Sequence, residues 1–166
     1  DAVEPDMERQ MDIMREQHHA QAFRLLTLDI AGLLTVEKLA DHLSELADIM
    51  LDLTLPRCWS RIKIRHRDEP RFAVISYGKL GGKELGYASD LDIVFLYDDD
   101  AQESPEVYTR LAQRTSTWLS SQTAAGQLFE TDLRLRPNGE SGLIATSLEA
   151  FRKYQLESAW VWEHQA

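Results

Sequence analysis

The sequence predicts an α+β fold in which a helical segment precedes a mixed sheet with flanking helices. Three observations indicate this. Residues 6–31 and 35–56 repeat apolar side chains at three- and four-residue spacings, as amphipathic helices do. Residues 71–77 (RFAVISY) and 90–98 (DLDIVFLYD) are short segments rich in β-branched and aromatic residues, which is typical of strands. From Ser104 the helical spacing returns.

The composition is that of a soluble globular domain. The chain has 166 residues, of which 43% are apolar and 28% charged. It has neither a signal peptide nor an apolar run of roughly 18 residues, so no membrane association is expected. Cys58, the single cysteine, excludes an internal disulfide, favours the cytoplasm and is expected to pack beside Trp59. The net charge of −10 is spread along the chain and argues against binding to nucleic acid.

The predicted helical segment covers residues 1–60. Gly32 is expected to end the first helix, Thr35 to cap the second and Pro56 to close it, giving an antiparallel pair. His18 and His19 are adjacent and therefore point to different faces, which makes them poor metal partners for each other. The only basic cluster follows and is interpreted as a solvated connector: Arg57, Arg61, Lys63, Arg65, Arg67 and Arg71.

Residues 61–166 form the second predicted unit. Ser104 is expected to cap a helix that Gly126 ends. Residues 127–137 alternate, which predicts a strand with Phe129, Thr131, Leu133 and Leu135 on one face and Leu128, Glu130, Asp132, Arg134 and Arg136 on the other. A turn at 137–139 and a last helix from Ser147 complete the order.

The candidate chemistry lies in residues 77–97, YGKLGGKELGYASDLDIVFLY. Gly81 and Gly82 would let the backbone approach an anion and direct amide N–H groups at it. Lys79 and Lys83 would add positive charge. Neither the P-loop pattern nor G-x-G-x-x-G occurs.

Three acidic residues complete this candidate site. Asp90 and Asp92 are two apart at the start of a strand and therefore share a face, where a hard cation such as Mg²⁺ would offset their repulsion. Asp132, on the next predicted strand, would allow two metals and an in-line phosphoryl substitution. Arg134 and Arg136 share the predicted face of Asp132 and either bind phosphate oxygens or pair with the neighbouring carboxylates.

These motifs resemble a known family. GKLGGKELGYASDLDIVF resembles the signature of the nucleotidyltransferase superfamily, which includes DNA polymerase β and kanamycin nucleotidyltransferase. Together with DLRLRPNGESG and YQLESAWVWEHQA, it is similar to the glutamine synthetase adenylyltransferase family over residues 70–166. The resemblance implies a polymerase β-like fold. Because the chain starts at Asp1 without Met and stops at Ala166 within an aromatic segment, we expect a piece of a longer protein, truncated at its carboxy-terminal end.

The resemblance also implies residue roles. It assigns Gly81 and Gly82 to the nucleotide-binding turn, Asp90 and Asp92 to the metal pair, and Asp132 to the third catalytic carboxylate. ATP is then the substrate and Mg²⁺, as two ions, the cofactor. The family pattern has Gly-Ser where this chain has Gly-Gly, so Ser89 is the candidate to replace the missing serine contact.

The resemblance further implies a role in regulating nitrogen assimilation. The motifs look most like the carboxy-terminal half, which transfers AMP from ATP to a tyrosine of glutamine synthetase. Glutamine synthetase, the PII signal protein and the other domains of the full enzyme are then partners, and Trp160 and Trp162 form a packing surface for a following domain. The alternatives are the deadenylylating, phosphorolytic half, a nucleotide sensor without turnover, and an antibiotic-modifying nucleotidyltransferase.

Overall fold

A computed structural model describes residues 7–161 and residue 163. It confirms the α+β class, with a mixed sheet flanked by helices. The elements, in chain order, are α1 (Met7–Ile30), α2 (Val36–Ser60), β1 (Phe72–Ser76), α3 (Gly78–Gly81), β2 (Leu91–Tyr97), α4 (Ser104–Ser120), β3 (Thr131–Asp132), a 3₁₀ turn (Gly139–Ser141), β4 (Ala145–Ser147) and α5 (Leu148–Glu157).

Strand β2 is the centre of the sheet, since each of the other strands pairs with it. β1 runs antiparallel to it, whereas β3 and β4 run parallel. β1 and β4 both pair with Phe95–Tyr97 and so lie along opposite edges of β2. Six of its seven residues are buried, which explains the unbroken apolar run in the sequence.

The helices α1 and α2 are joined through residues 31–35 and pack against each other. Gly32, at φ +68°, ends α1, and the Thr35 side chain accepts the backbone N–H of Lys38, as predicted. Val36 and Leu53 belong to the apolar repeat of residues 35–56 that predicts α2, but they are 78% and 39% exposed. One hydrophobic cluster contains residues of α1, α2, α4 and the sheet, and the division at residue 60 stays a prediction. Within the described residues, no helix is long and apolar enough to cross a membrane.

The prediction that Pro56 closes α2 is wrong, because the helix continues to Ser60. Proline removes one backbone hydrogen bond and crowds the preceding turn, but burial beyond it outweighs that cost. Cys58 and Trp59, in the last turn, are 1% and 4% exposed and belong to the core. Cys58 is therefore a packing residue, as expected, and burial raises the pKa of its thiol to about 11.

The prediction that Gly126 ends α4 is also wrong, since the helix stops at Ser120. The fully buried guanidinium group of Arg15, on α1, supplies the reason. It donates to the carbonyl oxygens of Trp118 (2.8 Å), Ser121 (2.8 Å) and Gly126 (2.8 Å). A buried arginine thus satisfies carbonyl groups that the end of a helix leaves without partners. The sequence does not reveal this role of Arg15, because a charged residue is ordinarily expected at the surface.

The predicted strand over residues 127–137 is reduced to Thr131–Asp132. Leu128 and Phe129, expected on opposite faces, are both buried. Their N–H groups both donate to the carbonyl of Leu119, so this segment covers the end of α4 instead of pairing with a strand. After Asp132 the chain turns, with Arg136 N–H bonded to Leu133 O.

Asp99, which lies two residues after the end of β2, is a buried hub of polar contacts. Its carboxylate accepts both Nε (2.6 Å) and Nη2 (2.9 Å) of Arg67, the hydroxyl of Tyr108 (2.8 Å) and the backbone N–H of Ala101 (3.2 Å), and lies 2.8 Å from Nε2 of His66. The hub connects the segment after α2 to β2 and α4. For Arg67, the interpretation of the basic cluster as solvated is therefore wrong.

The remaining elements agree more closely with the sequence. Pro105 lies in the first turn of α4, but Glu103 takes the N-cap position because Ser104 is buried inside the helix. Ser147 caps α5, and its side chain accepts the N–H of Ala150. Trp160 is 70% exposed, and Trp162 lies outside the described residues.

The hub predicts that Asp99→Asn lowers the free energy of unfolding by about 3 kcal/mol, because Arg67 and His66 lose their charged partner. The hydrogen bonds from Arg67 hold the pKa of Asp99 well below its usual range. The contribution of this carboxylate to the free energy of unfolding is therefore fully present above pH ~4 and is lost progressively as the pH falls further. Urea denaturation at pH 7 and pH 3 should show the gap between parent and variant shrinking at the lower pH. Asp98→Asn, at the exposed neighbour, is the matched control; equal effects of the two substitutions would contradict the hub.

Candidate active site

The site is formed where β2 and β3 pair. Asp90 directly precedes β2, Asp92 is its second residue, and Asp132 ends β3 opposite Asp92 in the parallel register. One carboxylate oxygen from each of the three residues lies within 4.8 Å of the others. The structure thus brings together the three acids that the sequence singled out, although β3 is only two residues long.

The three carboxylates affect one another's protonation. Partial burial, together with the charges of Asp90 and Asp132, raises the pKa of Asp92 above its ordinary value. Arg134 and Lys79 act in the opposite direction and reduce this rise. In contrast, hydrogen bonds from Arg134 lower the pKa of Asp132. Negative charge is therefore concentrated here at a cost in folding free energy, which is typical of sites that bind a cation or perform chemistry.

Arg134 holds Asp132 in place. Its Nε donates to Oδ2 of Asp132 at 2.7 Å, its Nη2 binds the same oxygen, and its backbone N–H donates to Oδ1 at 2.8 Å. The sequence left two roles open for Arg134, which were binding phosphate oxygens and pairing with a carboxylate. The structure shows the second of these, as an ion pair with Asp132. The guanidinium group is also exposed, so it can be shared with an incoming anion.

Gly78, which the sequence analysis did not single out, lies directly against Asp92 of the acidic cluster. It has φ +54°, and a Cβ atom built there would lie 2.3 Å from Oδ2 of Asp92. Only glycine adopts this conformation easily and leaves room for the carboxylate. The signal in the sequence was its place directly after β1, beside Tyr77, whose backbone N–H donates to the carbonyl of Asp92.

The fold leaves no room for a side chain at Gly81 but leaves room for one at Gly82. A Cβ on Gly81 would lie 2.7 Å from the carbonyl oxygen of Ser76, so a side chain is excluded. Gly82 has φ −80°, and its Cβ would come no closer than 3.4 Å to any neighbour outside its own chain segment. Close neighbours thus require a glycine at Gly81 and at Gly78 but not at Gly82, and the expected approach of the Gly81–Gly82 backbone to an anion stays a prediction.

Lys83 and Ser89 shape the loop between α3 and β2. Lys83 has a positive φ of 57°, and its ammonium group pairs with Asp48 on α2, so a phosphate would have to compete with that carboxylate. The Ser89 hydroxyl accepts the N–H of Gly86 at 2.9 Å, while Ser89 N–H donates to Gly86 O at 3.2 Å. These contacts fix the turn that leads directly into Asp90.

Arg136 forms no ion pair with a neighbouring carboxylate among the residues that the structure describes, and its contact with phosphate stays a prediction. Its guanidinium group donates to the backbone carbonyls of Leu133 (2.7 Å), Glu140 (2.9 Å) and Gly142 (3.4 Å) and so holds the turn after β3. Together with Asp90, Asp132 and Arg134, it lines an open groove of about 470 Å³. The groove gives a large anionic ligand access to the acidic cluster.

The donor set fits a hard divalent cation. All three groups are carboxylates, the ligand type that Mg²⁺ prefers, and they converge from two paired strands, which fixes their spacing. Partial exposure leaves room for further oxygen ligands from a substrate, as Mg²⁺ sites in phosphoryl transfer commonly have. No thiol or imidazole belongs to the group, which argues against zinc.

A mixed sheet flanked by helices, with such carboxylates at the start of its central strand, has the fold of a nucleotidyltransferase. Comparison with known proteins agrees. A family profile described as glutamate-ammonia ligase adenylyltransferase matches residues 1–166. The chain belongs to this family of enzymes.

Curated relatives carry a consistent name. The chain is 83% identical over its whole length to a protein of Aromatoleum aromaticum named bifunctional glutamine synthetase adenylyltransferase/adenylyl-removing enzyme. Proteins with the same name from Nitrosomonas europaea and Ralstonia nicotianae are 62% and 60% identical over 96% of the chain. The chain covers 18% of the first relative and 17% of the other two, so it spans less than a fifth of their length.

The acidic cluster predicts that Asp92→Asn stabilises the metal-free protein. Removing one charge relieves the repulsion from Asp90 and Asp132, so the melting temperature in EDTA should hold or rise. The stabilisation by added Mg²⁺ that we expect of the parent should be lost, because a ligand is missing. Thermal melts with and without Mg²⁺ test both points. An exposed acid, Asp100→Asn, serves as the control. If Asp92→Asn melted lower in EDTA and kept the shift on adding Mg²⁺, the cluster would not be a cation site.

The glycine contacts predict a contrast between two substitutions. Gly78→Ala should displace the Asp92 carboxylate and lower Mg²⁺ affinity by at least tenfold, because the new methyl group occupies the position of Oδ2. Gly82→Ala should leave Mg²⁺ affinity within about twofold of the parent, since its conformation suits any residue. Titration calorimetry with Mg²⁺ measures both. Equal affinities for the two variants would show that Gly78 does not govern the position of Asp92.

Proposed function

We propose that this chain is the nucleotidyltransferase domain that transfers AMP from ATP to a tyrosine hydroxyl of glutamine synthetase, with Asp90, Asp92 and Asp132 as its catalytic carboxylates. One observation carries the proposal: in a chain of this family, the three acids converge within 4.8 Å on paired strands. The names of the relatives support the class of reaction and the protein substrate.

The reaction is an in-line substitution. The phenolic oxygen of the acceptor forms a bond to the α-phosphorus of ATP, and the bond from that phosphorus to the bridging oxygen of the β-phosphate breaks. Pyrophosphate leaves with the electron pair, and the phenolic proton passes to a carboxylate or to water. When bound by Asp90, Asp92 and Asp132, Mg²⁺ would neutralise charge on the phosphate oxygens and on the attacking oxygen.

Asp132 suits the role of a charged ligand better than that of a proton acceptor. Its hydrogen bonds from Arg134 lower its pKa and so make it a weaker base. The same bonds fix its orientation toward Asp92 and Asp90. Asp92, with its raised pKa, is the stronger base of the two in the absence of a cation.

The remaining predicted residues are proposed to hold the phosphates. Gly81 ends α3, whose first residue contacts Asp92, and Gly82 follows that helix. Lys79, also on α3, carries a positive charge that acts to lower the pKa of Asp92. Arg134 and Arg136 line the groove at the acids. Lys83 and Ser89 are proposed to act by holding the loop between α3 and β2. Of these two residues, Lys83 would have to release Asp48 before its ammonium group could bind a phosphate.

The proposal extends to partners that the structure does not contain. The resemblance implies the PII signal protein as regulator, a cytoplasmic location, two Mg²⁺ ions and further domains in the full-length enzyme. These stay predictions, as does the choice between the adenylylating half and the phosphorolytic half.

The direct test incubates the chain with α-labelled ATP, Mg²⁺ and unmodified glutamine synthetase, and follows label on the synthetase. A parallel reaction supplies adenylylated synthetase and phosphate and follows the release of ADP. Label transfer without phosphorolysis identifies the adenylylating half, and the reverse result identifies the other half. Binding of Mg·ATP with neither reaction would identify a nucleotide sensor and contradict the proposal.

Substitution of Asp132 then separates catalysis from binding. Asp132→Asn should lower the transfer rate by a factor on the order of 10² to 10⁴ while Mg·ATP affinity changes little. The asparagine amide keeps the shape of the Asp132 carboxylate but lacks its negative charge, which the transfer reaction requires. Asp98→Asn, at an exposed site away from the cluster, is the control for loss of one acid. Transfer by Asp132→Asn at the parent rate would leave Asp132 as a structural partner of Arg134 alone.

A further inference from the structure

A separate cavity lies where α1, α2 and α4 meet, and we call it the interhelical cavity. Its volume is about 480 Å³, within the range of small-molecule pockets in proteins. Each helix lines it with residues three or four positions apart, which share one face of a helix. They are Met7 and Met11 of α1, Cys58 and Arg61 at the end of α2, and residues between 110 and 118 of α4.

The inner wall of the interhelical cavity is apolar. Met11, Cys58 and Trp118 are buried and form its floor. Met7 is 40% exposed, so its flexible side chain is the part of the wall that a ligand can contact. Such a wall favours a ligand with a hydrocarbon or aromatic body over an inorganic ion.

Positive charge gathers at this cavity, although the chain as a whole carries a net charge of −10. Arg61 belongs to the basic cluster that follows α2 in the sequence, and Arg110 and Arg114 of α4 line the same cavity. The charges of Arg114 and Arg61 oppose the rise that burial causes in the pKa of the Cys58 thiol, so both lie near the floor. Like charges that converge repel one another, and an anion bound between them removes that cost.

The arginines of α4 differ in the partners that they already have. Arg110 forms an ion pair with Glu106, one turn earlier on the helix. The guanidinium group of Arg114 has no ion-pair partner within the part of the chain that the structure describes. It can therefore form a bidentate pair with an added carboxylate. One such group suits a single carboxylate better than a doubly charged phosphate.

Arg15 holds the walls of the cavity together. Its guanidinium group donates to the carbonyl oxygens of Met11 (3.1 Å) and Trp118 (2.8 Å), whose side chains line the cavity from α1 and α4. Because Arg15 is fully buried, these contacts keep the two helices at a fixed spacing when no ligand is bound. A preformed site avoids the free-energy cost of ordering its walls on binding.

We propose that the interhelical cavity binds a small organic carboxylate with an apolar body, which pairs with Arg114 at the mouth and contacts Met7 inside. This site is distinct from the acidic groove, with which it shares no lining residue. α4 borders both spaces with different faces, since Ser116 lines the groove, whereas Gln113 and Thr117 line the cavity. The ligand is therefore an effector and not a reactant, and the proposal does not depend on the proposed function.

Three probes test the proposal by titration calorimetry on the whole chain. They are 4-phenylbutyrate, 4-phenylbutanol, which has the same body without the charge, and acetate, which has the charge without the body. The parent should bind 4-phenylbutyrate about tenfold more tightly than either of the others, the value of one charged hydrogen-bonded contact. Arg114→Gln should lower the affinity for 4-phenylbutyrate to that for 4-phenylbutanol and leave the alcohol's affinity unchanged. Arg152→Gln, at an exposed arginine of α5, is the matched control and should behave like the parent.

Filling the cavity is a second test. Thr117→Trp, at an exposed position of α4 that lines the cavity, should abolish binding of both 4-phenylbutyrate and 4-phenylbutanol, because the indole ring takes the space of their common body. Thr27→Trp, at an exposed position of α1 away from the cavity, should bind both like the parent. Circular dichroism of each variant establishes that it is folded.

The outcomes are distinct from those that test the proposed function. Asp92→Asn should lose Mg·ATP binding and keep the parent's affinity for 4-phenylbutyrate, so failure of one proposal leaves the other intact. Unchanged binding of 4-phenylbutyrate by Thr117→Trp, or binding of acetate as tight as that of 4-phenylbutyrate, would overturn the carboxylate site. Competition between Mg·ATP and 4-phenylbutyrate would overturn it as well, because a single site would then serve both ligands.

Discussion

The pairing of β2 along both of its edges determines the arrangement of the molecule. A strand buried on both faces has to satisfy its backbone groups within the sheet, and β2 does so against β1, β3 and β4. The same pairing places Asp92 opposite Asp132 and leaves Asp90 at the open start of the strand. The geometry of the acidic cluster is thus a consequence of strand register, and the two-residue strand β3 matters because it fixes the position of Asp132.

Acidic side chains at the two ends of β2 differ in how completely their charge is compensated. At its end, Asp99 is buried, forms an ion pair with Arg67 and has hydrogen-bonding contacts with His66 and Tyr108, so the carboxylate stabilises the fold. At its start, the acids are only partly buried, repel one another and share one arginine. A fully compensated charge holds structure together, whereas an incompletely compensated group retains the capacity to bind a cation.

Hydrogen bonds and an ion pair connect the helical segment to the rest of the chain. Arg15 satisfies the carbonyl groups at the end of α4, and Lys83 and Tyr87 link the loop before β2 to α2 and α1. These contacts connect the helices to the loop before Asp90 and to the segment that follows α4.

The sequence by itself determined the fold class, the two helices of the first segment, the buried central strand and the three acids of the site. These follow from periodicity and from residue type, which are local properties. The tertiary structure decided the rest. Pro56 sits inside a helix because Cys58 and Trp59 enter a core that the sequence around them does not show. The alternation of 127–137 did not produce a long strand because the end of α4 accepts the N–H groups of Leu128 and Phe129. Asp99 and Arg15 look like surface charges until distant partners surround them, and Gly78 looks like an ordinary turn residue until Asp92 lies against it. Each of these depends on contacts between residues far apart in the chain, which no local pattern encodes.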